Sequence, residues 1–146
     1  MRTLATALAA ALIAAPLPAM KPPRERSPAP RDVLAQAGLG NSDEELARAA
    51  AAAAAHPLGT VGNPVRVGGP EGERSYLARL RCADGSAPRI GPKRPAGVAA
   101  FGSLADLYPL DCGAAPPGRL DLVMDMYHAE HVEQRAPDGF TLEPPR

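Results

Sequence analysis

The feature that most constrains this sequence is its pair of cysteines, Cys82 and Cys112, because the 146-residue chain contains no others. In an exported protein, a lone pair of cysteines most often forms one disulfide. The alternatives are two free thiols or half of a metal site, but no C-x-x-C or Cys-His spacing supports them. We therefore predict a disulfide that joins the segment around residue 82 to the segment around residue 112.

Export itself is predicted by the first residues of the chain. Residues 4–15 are apolar apart from Thr6, follow Arg2, and precede the small-residue stretch P-L-P-A. Such a run is too short to cross a hydrocarbon core of ~30 Å as a helix, and is typical of the apolar region of a signal peptide. A buried N-terminal helix is the alternative. We predict a signal peptide over residues 1–19, and a periplasmic or secreted mature chain without a membrane span.

Charge and aromatic content argue against a nucleic-acid partner. Lys and Arg total 16, Asp and Glu also total 16, and no basic stripe is visible along the chain. Trp is absent, and the three Tyr and two Phe are scattered. Nucleic-acid binding depends on a positive surface and, for single strands, on stacking platforms. Neither is indicated here.

Residues 20–56 are predicted to be an arm followed by a helix. Residues 20–30 are rich in Pro and Arg and have few side chains to bury, so we expect a flexible linker. Ser42 followed by Glu45 is typical of a capping box, and the alanine-rich residues 43–55 favour a helix. This helix has a thin apolar face, so we expect it to pack weakly or not at all.

A second helix is predicted over residues 71–82. Pro70 suits a first helical position, Glu71 and Glu73 would favour the helix N-terminus, and Tyr76, Leu77 and Leu80 form one apolar stripe. The same residues also fit an alternating strand, which stays open at this point. Arginines at 66, 74, 79 and 81 are interpreted as a solvated face with intrahelical ion pairs rather than as an anion site.

Alternating patterns predict the strands. The clearest runs from residue 120 to 127, and residues 104–112 also alternate, although Pro109 indicates an edge or bulged strand. Shorter strands are expected at residues 65–67 and 140–142, and residues 86–102 are expected to form an irregular loop. Together these elements predict an α+β domain over residues 57–146, in which one helix packs on a small antiparallel sheet with a single disulfide.

Three stretches of this domain form a distinctive combination. They are N-P-V-R-V at 63–67, P-E-G-E-R-S-Y-L-A-R-L-R-C at 70–82 and M-D-M-Y-H at 124–128, with a tyrosine-bearing strand ending in Cys112 before the last. In this combination the chain resembles small exported proteobacterial proteins of unknown function. The resemblance implies export and a disulfide-stapled domain, but no activity and no binding residue.

Residues 124–131 hold the densest set of potential metal ligands. Met124 and Met126 would share one face of a strand, and with His128 and His131 they form a soft donor set suited to Cu(I). Asp125 and Glu133 could instead join the histidines around a harder metal. The competing interpretation is that the methionines continue the apolar face of the strand into the core, while the histidines occupy a polar turn. We favour core and turn, and expect no cofactor, with copper as the alternative.

Catalytic patterns are weak. Ser103 follows a glycine but lacks the context of a G-x-S-x-G nucleophile elbow, and nothing indicates a Ser/His/Asp set. Asp106 and Asp121 could face each other on neighbouring strands, an arrangement that is destabilising unless the acids are used or bridged. The leading hypothesis is therefore a non-enzymatic exported protein, an envelope binding or accessory module whose partner is unknown. A copper-binding protein is the alternative, and an enzyme comes third.

Overall fold

The computed structural model describes residues 42–145 of the chain. The predicted signal peptide at 1–19 and the predicted linker as far as residue 41 lie outside this range. Within it, neither helix is long and apolar enough to cross a bilayer. The α+β architecture predicted from the sequence is confirmed, with two helices and a mostly antiparallel sheet.

Helix α1 spans Asp43–Ala53 and begins with the predicted capping box. The Ser42 hydroxyl accepts a hydrogen bond from the Glu45 amide, and the Glu45 side chain accepts one from the Ser42 amide. Only Ala53 is fully buried, so the expected weak packing is confirmed along most of the helix. The turn that follows α1 is held by the side-chain Nδ2 of Asn63, which donates to the carbonyl of His56 over 2.9 Å.

The main sheet is built around β5, an eight-residue strand. The strands of the domain in chain order are β1 (Val65–Arg66), β2 (Leu80–Arg81), β3 (Arg89–Ile90), β4 (Arg94–Val98), β5 (Leu104–Asp111), β6 (Arg119–Asp125) and β7 (Thr141–Leu142). β6 pairs antiparallel with one edge of β5, and β3 and β4 pair in succession with the other edge. β1 pairs parallel with β6, and β2 pairs with β7 in a separate two-stranded sheet.

Two expectations about this sheet were wrong. Residues 86–102 are not an irregular loop, because they contain β3 and β4. Both strands are short and largely exposed, and β4 contains Pro95 and Gly97, so they lack the alternation on which the prediction depended. β5 is also a central strand, despite Pro109. The Pro109 carbonyl accepts a hydrogen bond from the amide of Gly91, on the edge of β5 that faces β3 and β4. The N–H that proline lacks would point to this same edge, at residues 91–93, which lie between β3 and β4 and belong to neither strand. The ladder to β6 therefore loses nothing.

Helix α2 spans Gly69–Arg79 and carries the core of the domain. The predicted helix is confirmed, but it ends at residue 79. The last predicted turn is instead strand β2, so both interpretations of this segment are partly right. Cys82 follows β2 and forms the predicted disulfide with Cys112, at a Cα–Cα distance of 5.9 Å.

Burial is concentrated between α2 and one face of the sheet. Tyr108 and Leu122 are register partners, as are Asp106 and Met124, so all four belong to the face that α2 covers. The buried members of this core are Val65, Val67, Tyr76, Leu77, Leu80, Cys82, Leu110, Leu122, Met124 and Phe140. A smaller cluster of Ala99, Ala105 and Val123 lies on the opposite face.

The interpretation of the arginines as a solvated face was wrong for Arg79 and Arg81. Arg79 is 7% exposed and donates to the carbonyl of Glu143 over 2.6 Å and to the side chain of Gln134 over 3.2 Å. Arg81 forms an ion pair of 2.6 Å with the carboxylate of Glu143. Both side chains hold the C-terminal segment, which is far away in sequence, and a local charge pattern carries no information about such partners. Arg74 does pair with Glu71, as expected of an intrahelical ion pair.

Candidate functional site

The two methionines of the 124–131 segment belong to the core. Met124 is fully buried within the cluster under α2, and Met126 is partly buried against the same cluster. The prediction that they continue the apolar face of the strand is confirmed. Their sulfur atoms therefore lie among apolar side chains rather than at a polar surface.

His128 turns to the other side, where it meets Asp125 and Ser103. Its Nε2 lies 3.1 Å from Oδ2 of Asp125 but is not aligned for a hydrogen bond. The Ser103 hydroxyl donates to the same Oδ2, and the amide of Tyr127 donates to Oδ1 over 3.0 Å. Asp125 is 0% exposed, so these donors replace the water it has lost.

This set contains the residue types of a catalytic triad but not their order. In a triad the imidazole accepts the proton of the serine, and the carboxylate holds the opposite ring nitrogen. Here the carboxylate of Asp125 stands between the other two, and the Ser103 hydroxyl is directed at Asp125. The arrangement satisfies a buried acid. It does not activate a nucleophile.

The copper hypothesis stays a prediction. The structure brings His128 and His131 together, since the His131 amide donates to the His128 carbonyl in a turn, but it places Met124 in the core on the other side of the strand. Among residues 42–145, no group of three or more His, Cys, Asp or Glu is placed to hold a metal ion. The oxygens of Asp125 and Glu133 are occupied by the hydrogen bonds of neighbouring residues.

A cavity of about 310 Å³ lies between α1, β1 and the segment that follows His131. We name it the α1 cavity. It is lined by Ala50, Ala54, Asn63, Arg66, Phe101, His131, Glu133 and Arg135. Its lining is apolar at Ala50, Ala54 and Phe101, and polar at the other five residues. Such a combination is typical of small-molecule sites.

One polar group of the cavity is the buried carboxylate of Glu133. It accepts two hydrogen bonds from the Arg135 guanidinium, of 3.0 and 3.1 Å, and one from the Arg135 amide. Burial acts to raise the pKa of Glu133, but the hydrogen bonds and charge of Arg135 outweigh it, so the pKa is lowered. The Tyr76 hydroxyl holds this segment in place by donating to the carbonyl of Arg135 over 2.8 Å.

His131 is the titratable group of the cavity. Its Nε2 lies 3.6 Å from Oε2 of Glu133, is buried, and has no hydrogen-bond partner among the described residues. Burial lowers the pKa of His131, and repulsion from the Arg66 guanidinium lowers it further, against the opposing charge of Glu133. The lowered pKa favours the neutral form of the imidazole.

Arg66 projects from β1 into the same cavity. Its guanidinium carbon lies 5.1 Å from the centre of the Phe101 ring, a cation–π contact. Phe101 in turn meets the edge of the His128 ring at 5.2 Å, in a T-shaped contact. Among residues 42–145, no carboxylate or carbonyl accepts a hydrogen bond from this guanidinium.

A second polar cluster lies on the face of the sheet that α2 covers. Glu73 is 1% exposed, accepts from the Tyr108 hydroxyl over 2.9 Å, and lies 3.6 Å from the ammonium of Lys93. Burial raises the pKa of Glu73, and the charge of Asp106 raises it further, whereas the Tyr108 hydroxyl and Lys93 lower it. Lys93 also pairs with Asp106 at 3.0 Å.

The suggested pairing of Asp106 with Asp121 was wrong. The register places Met124 opposite Asp106, and Pro109 opposite Asp121, so the two acids point to opposite faces of the sheet. Asp121 belongs to a larger, open groove of about 570 Å³ beside β3. The exposed Arg89 and Arg119 of this groove are paired with Asp111 at 2.9 and 3.4 Å, so it offers less unpaired charge than the α1 cavity.

The sequence patterns missed most of these residues. Glu73 was assigned to the first turn of the helix, but α2 begins two residues earlier than expected, and Glu73 points inward. Its spacing to Tyr76, Leu77 and Leu80 is i, i+3, i+4 and i+7, and this could have placed it on the buried face. No local signal joins Arg66 to residues 101 and 131–135, because tertiary packing alone brings them together.

No protein-family model, curated protein or solved structure matches this chain.

Proposed function

We propose that this chain is an exported, non-enzymatic binding protein of the bacterial envelope that holds a small molecule in the α1 cavity. The observation that carries the proposal is the cavity itself. Its volume of about 310 Å³ lies at the lower end of the ~300–1,000 Å³ typical of small-molecule sites. Its combination of apolar and polar lining residues is the feature by which such sites fix the orientation of a ligand.

Two further features support export and binding. The Cys82–Cys112 disulfide is compatible with an oxidising compartment, to which the apolar residues 4–15 would direct the chain. The order of Ser103, Asp125 and His128 favours a structural role over catalysis, because the serine does not contact the imidazole. An accessory role in the envelope fits a small, disulfide-stapled domain of this kind.

The cavity is tested by filling it. Ala50 lines the α1 cavity, and Ala50→Leu adds a bulky side chain at a helical position where leucine is well tolerated. Ala51→Leu, on the exposed side of the same helix, is the matched control. In a fragment screen followed by amide NMR, we expect ligands to shift the signals of residues 63–66, 101 and 131–135. These shifts should persist in Ala51→Leu and disappear in Ala50→Leu.

A screen in which no fragment moves these amides, or in which both variants respond equally, would contradict the proposal. Export is tested separately by expressing the full chain in a bacterial host and measuring the intact mass of protein from the periplasm. We expect a chain that lacks residues 1–19 and carries no free thiol. An uncleaved chain retained in the cytoplasm would refute export and leave the cavity experiment unaffected.

A further inference from the structure

Arg66 differs from every other arginine in the described part of the chain. Each of the others between residues 42 and 145 has a hydrogen-bond or ion-pair partner; these are Arg48, Arg74, Arg79, Arg81, Arg89, Arg94, Arg119 and Arg135. The guanidinium of Arg66 lies over the face of the Phe101 ring, and within residues 42–145 no carboxylate or carbonyl accepts a hydrogen bond from it. It is nevertheless partly buried, in the wall of a cavity.

The other charges of the cavity do not neutralise Arg66. Glu133 is the acid of the cavity, and both of its oxygens are taken by the guanidinium of Arg135. His131 contributes no negative charge, because an imidazole is either neutral or positively charged. Within residues 42–145, the cavity therefore holds one guanidinium without a carboxylate partner. A partly buried charge of this kind favours a ligand of opposite charge.

We propose that the ligand of the α1 cavity is a small organic carboxylate, whose two oxygens bind the guanidinium of Arg66. This inference rests on the proposed binding function. A guanidinium presents N–H donors in a planar fork that matches a carboxylate, and the contact with Phe101 holds the Arg66 guanidinium at the cavity. The apolar part of the ligand would lie along Ala50 and Ala54, which also line the cavity.

The experiment compares three probes that differ in charge and shape: benzoate, benzamide and inorganic phosphate. Benzamide matches benzoate in shape but is neutral, and phosphate carries the charge without an apolar part. Binding is followed by the amide NMR signals of residues 63–66, 101 and 131–135 in the full mature chain. We expect benzoate to bind at least about tenfold more tightly than benzamide, because a hydrogen bond to a charged group is stronger than one between neutral groups. Phosphate should bind more weakly than benzoate.

Arg66→Gln removes the charge and keeps a polar side chain, so it should abolish the preference for benzoate over benzamide. Arg119→Gln is the control, because that side chain is 86% exposed and lies outside the cavity. It should leave both affinities unchanged. The fold of each variant is verified by the NMR signals of the core.

The possible outcomes separate the two proposals. Equal binding of benzoate and benzamide at the cavity amides would overturn the carboxylate inference and leave the cavity as a binding site. Tighter binding of phosphate than of benzoate would overturn the organic carboxylate in favour of an inorganic anion. A preference for benzoate that survives Arg66→Gln would overturn the role of Arg66. The absence of any shift with all three probes would count against the cavity itself.

Discussion

Tyr108 donates its hydroxyl proton to Oε2 of Glu73 over 2.9 Å, and so joins the central strand of the sheet to the helix that covers it. Oε1 of Glu73 has no donor among the described groups and is buried. Burial raises the pKa of Glu73, against the Tyr108 hydrogen bond and the charge of Lys93, which lower it. The packing of α2 on β5 therefore favours the protonated form of this carboxyl group.

The stability of the domain should respond to the ionisation of Glu73. Its folded-state pKa is raised, so its contribution to folding is fullest below its unfolded pKa of about 4.3 and is lost as the pH rises through the folded-state value. Glu73→Gln mimics the protonated acid and should remove this loss. We expect the stability of the variant relative to wild type to increase between about pH 4 and about pH 7, as measured by urea denaturation.

Glu71→Gln is the matched control for this variant. Glu71 is on the same helix, but its side chain is 86% exposed and pairs with Arg74 at the surface. The difference in the free energy of unfolding between Glu71→Gln and wild type should show little pH dependence over the same range. A pH-independent difference for Glu73→Gln would show that Glu73 keeps an ordinary pKa in the folded protein.

Replacement of Arg79 should loosen the C-terminal segment. Arg79→Met keeps the apolar stem but leaves the carbonyl of Glu143 without its 2.6 Å donor in a largely buried position. We expect a loss of about 2 kcal/mol in the free energy of unfolding, with faster amide exchange over residues 133–143. Arg74→Met removes an exposed ion pair and should cost less than about 0.5 kcal/mol. Equal costs for the two variants would contradict the role assigned to Arg79.

Loss of the disulfide should reduce stability without changing the fold. Cys82 and Cys112 are 30 residues apart, and in the chain-entropy model a loop of this size contributes about 3–4 kcal/mol by restricting the unfolded state. The double variant Cys82→Ser/Cys112→Ser should unfold at a lower urea concentration, and its free energy of unfolding should be lower by about that amount. Reduced wild-type protein should match the variant. Equal midpoints for oxidised and reduced protein would show that the staple contributes nothing.

Binding of an anion in the α1 cavity should be coupled to proton uptake. His131 is surrounded by Arg66, Glu133, Arg135 and His128, and its pKa is lowered in the free protein. A carboxylate at Arg66 offsets the repulsion from that guanidinium and raises the pKa of His131 in the complex. The affinity for benzoate should therefore rise as the pH falls from about 8 towards the imidazole range near 6.5.

Calorimetry in two buffers of different ionisation enthalpy measures the protons taken up with benzoate. His131→Gln should remove both the proton uptake and the pH dependence while leaving the preference for benzoate over benzamide. Proton release on binding would have the opposite sign and would contradict the placement of the ligand beside Arg66.

Sequence patterns predicted the features that are encoded locally. The capping box of Ser42 and Glu45, the apolar stripe of α2 and the alternation of β5 and β6 all depend on neighbours within one turn or one strand. The disulfide was predictable because the chain offers only one possible pair of cysteines. The fold class followed from these elements.

The rest of the fold and of the candidate site depends on contacts between residues that are far apart in the sequence, which residue spacing does not reveal. β3 and β4 form because β5 presents a free edge, although their own residues are largely exposed and do not alternate. Arg79 is buried because the C-terminal segment covers it, and Arg66 meets Phe101 because β1 lies beside the turn that carries residue 101. The 124–131 segment was correctly divided into core methionines and polar histidines, because strand alternation is a local property.

The pairing of β2 with β7 has a consequence for the order in which the domain folds. Arg81 and Glu143 are separated by 62 residues, and the two strands contact each other only when both ends of that interval are present. Nucleation of α2 and the β5–β6 hairpin does not require this contact, but enclosure of Arg79 does. A chain that is still being synthesised would hold that guanidinium in water until the segment around residue 143 has left the ribosome. Enclosure of Arg79 therefore cannot precede synthesis of residues 141–143.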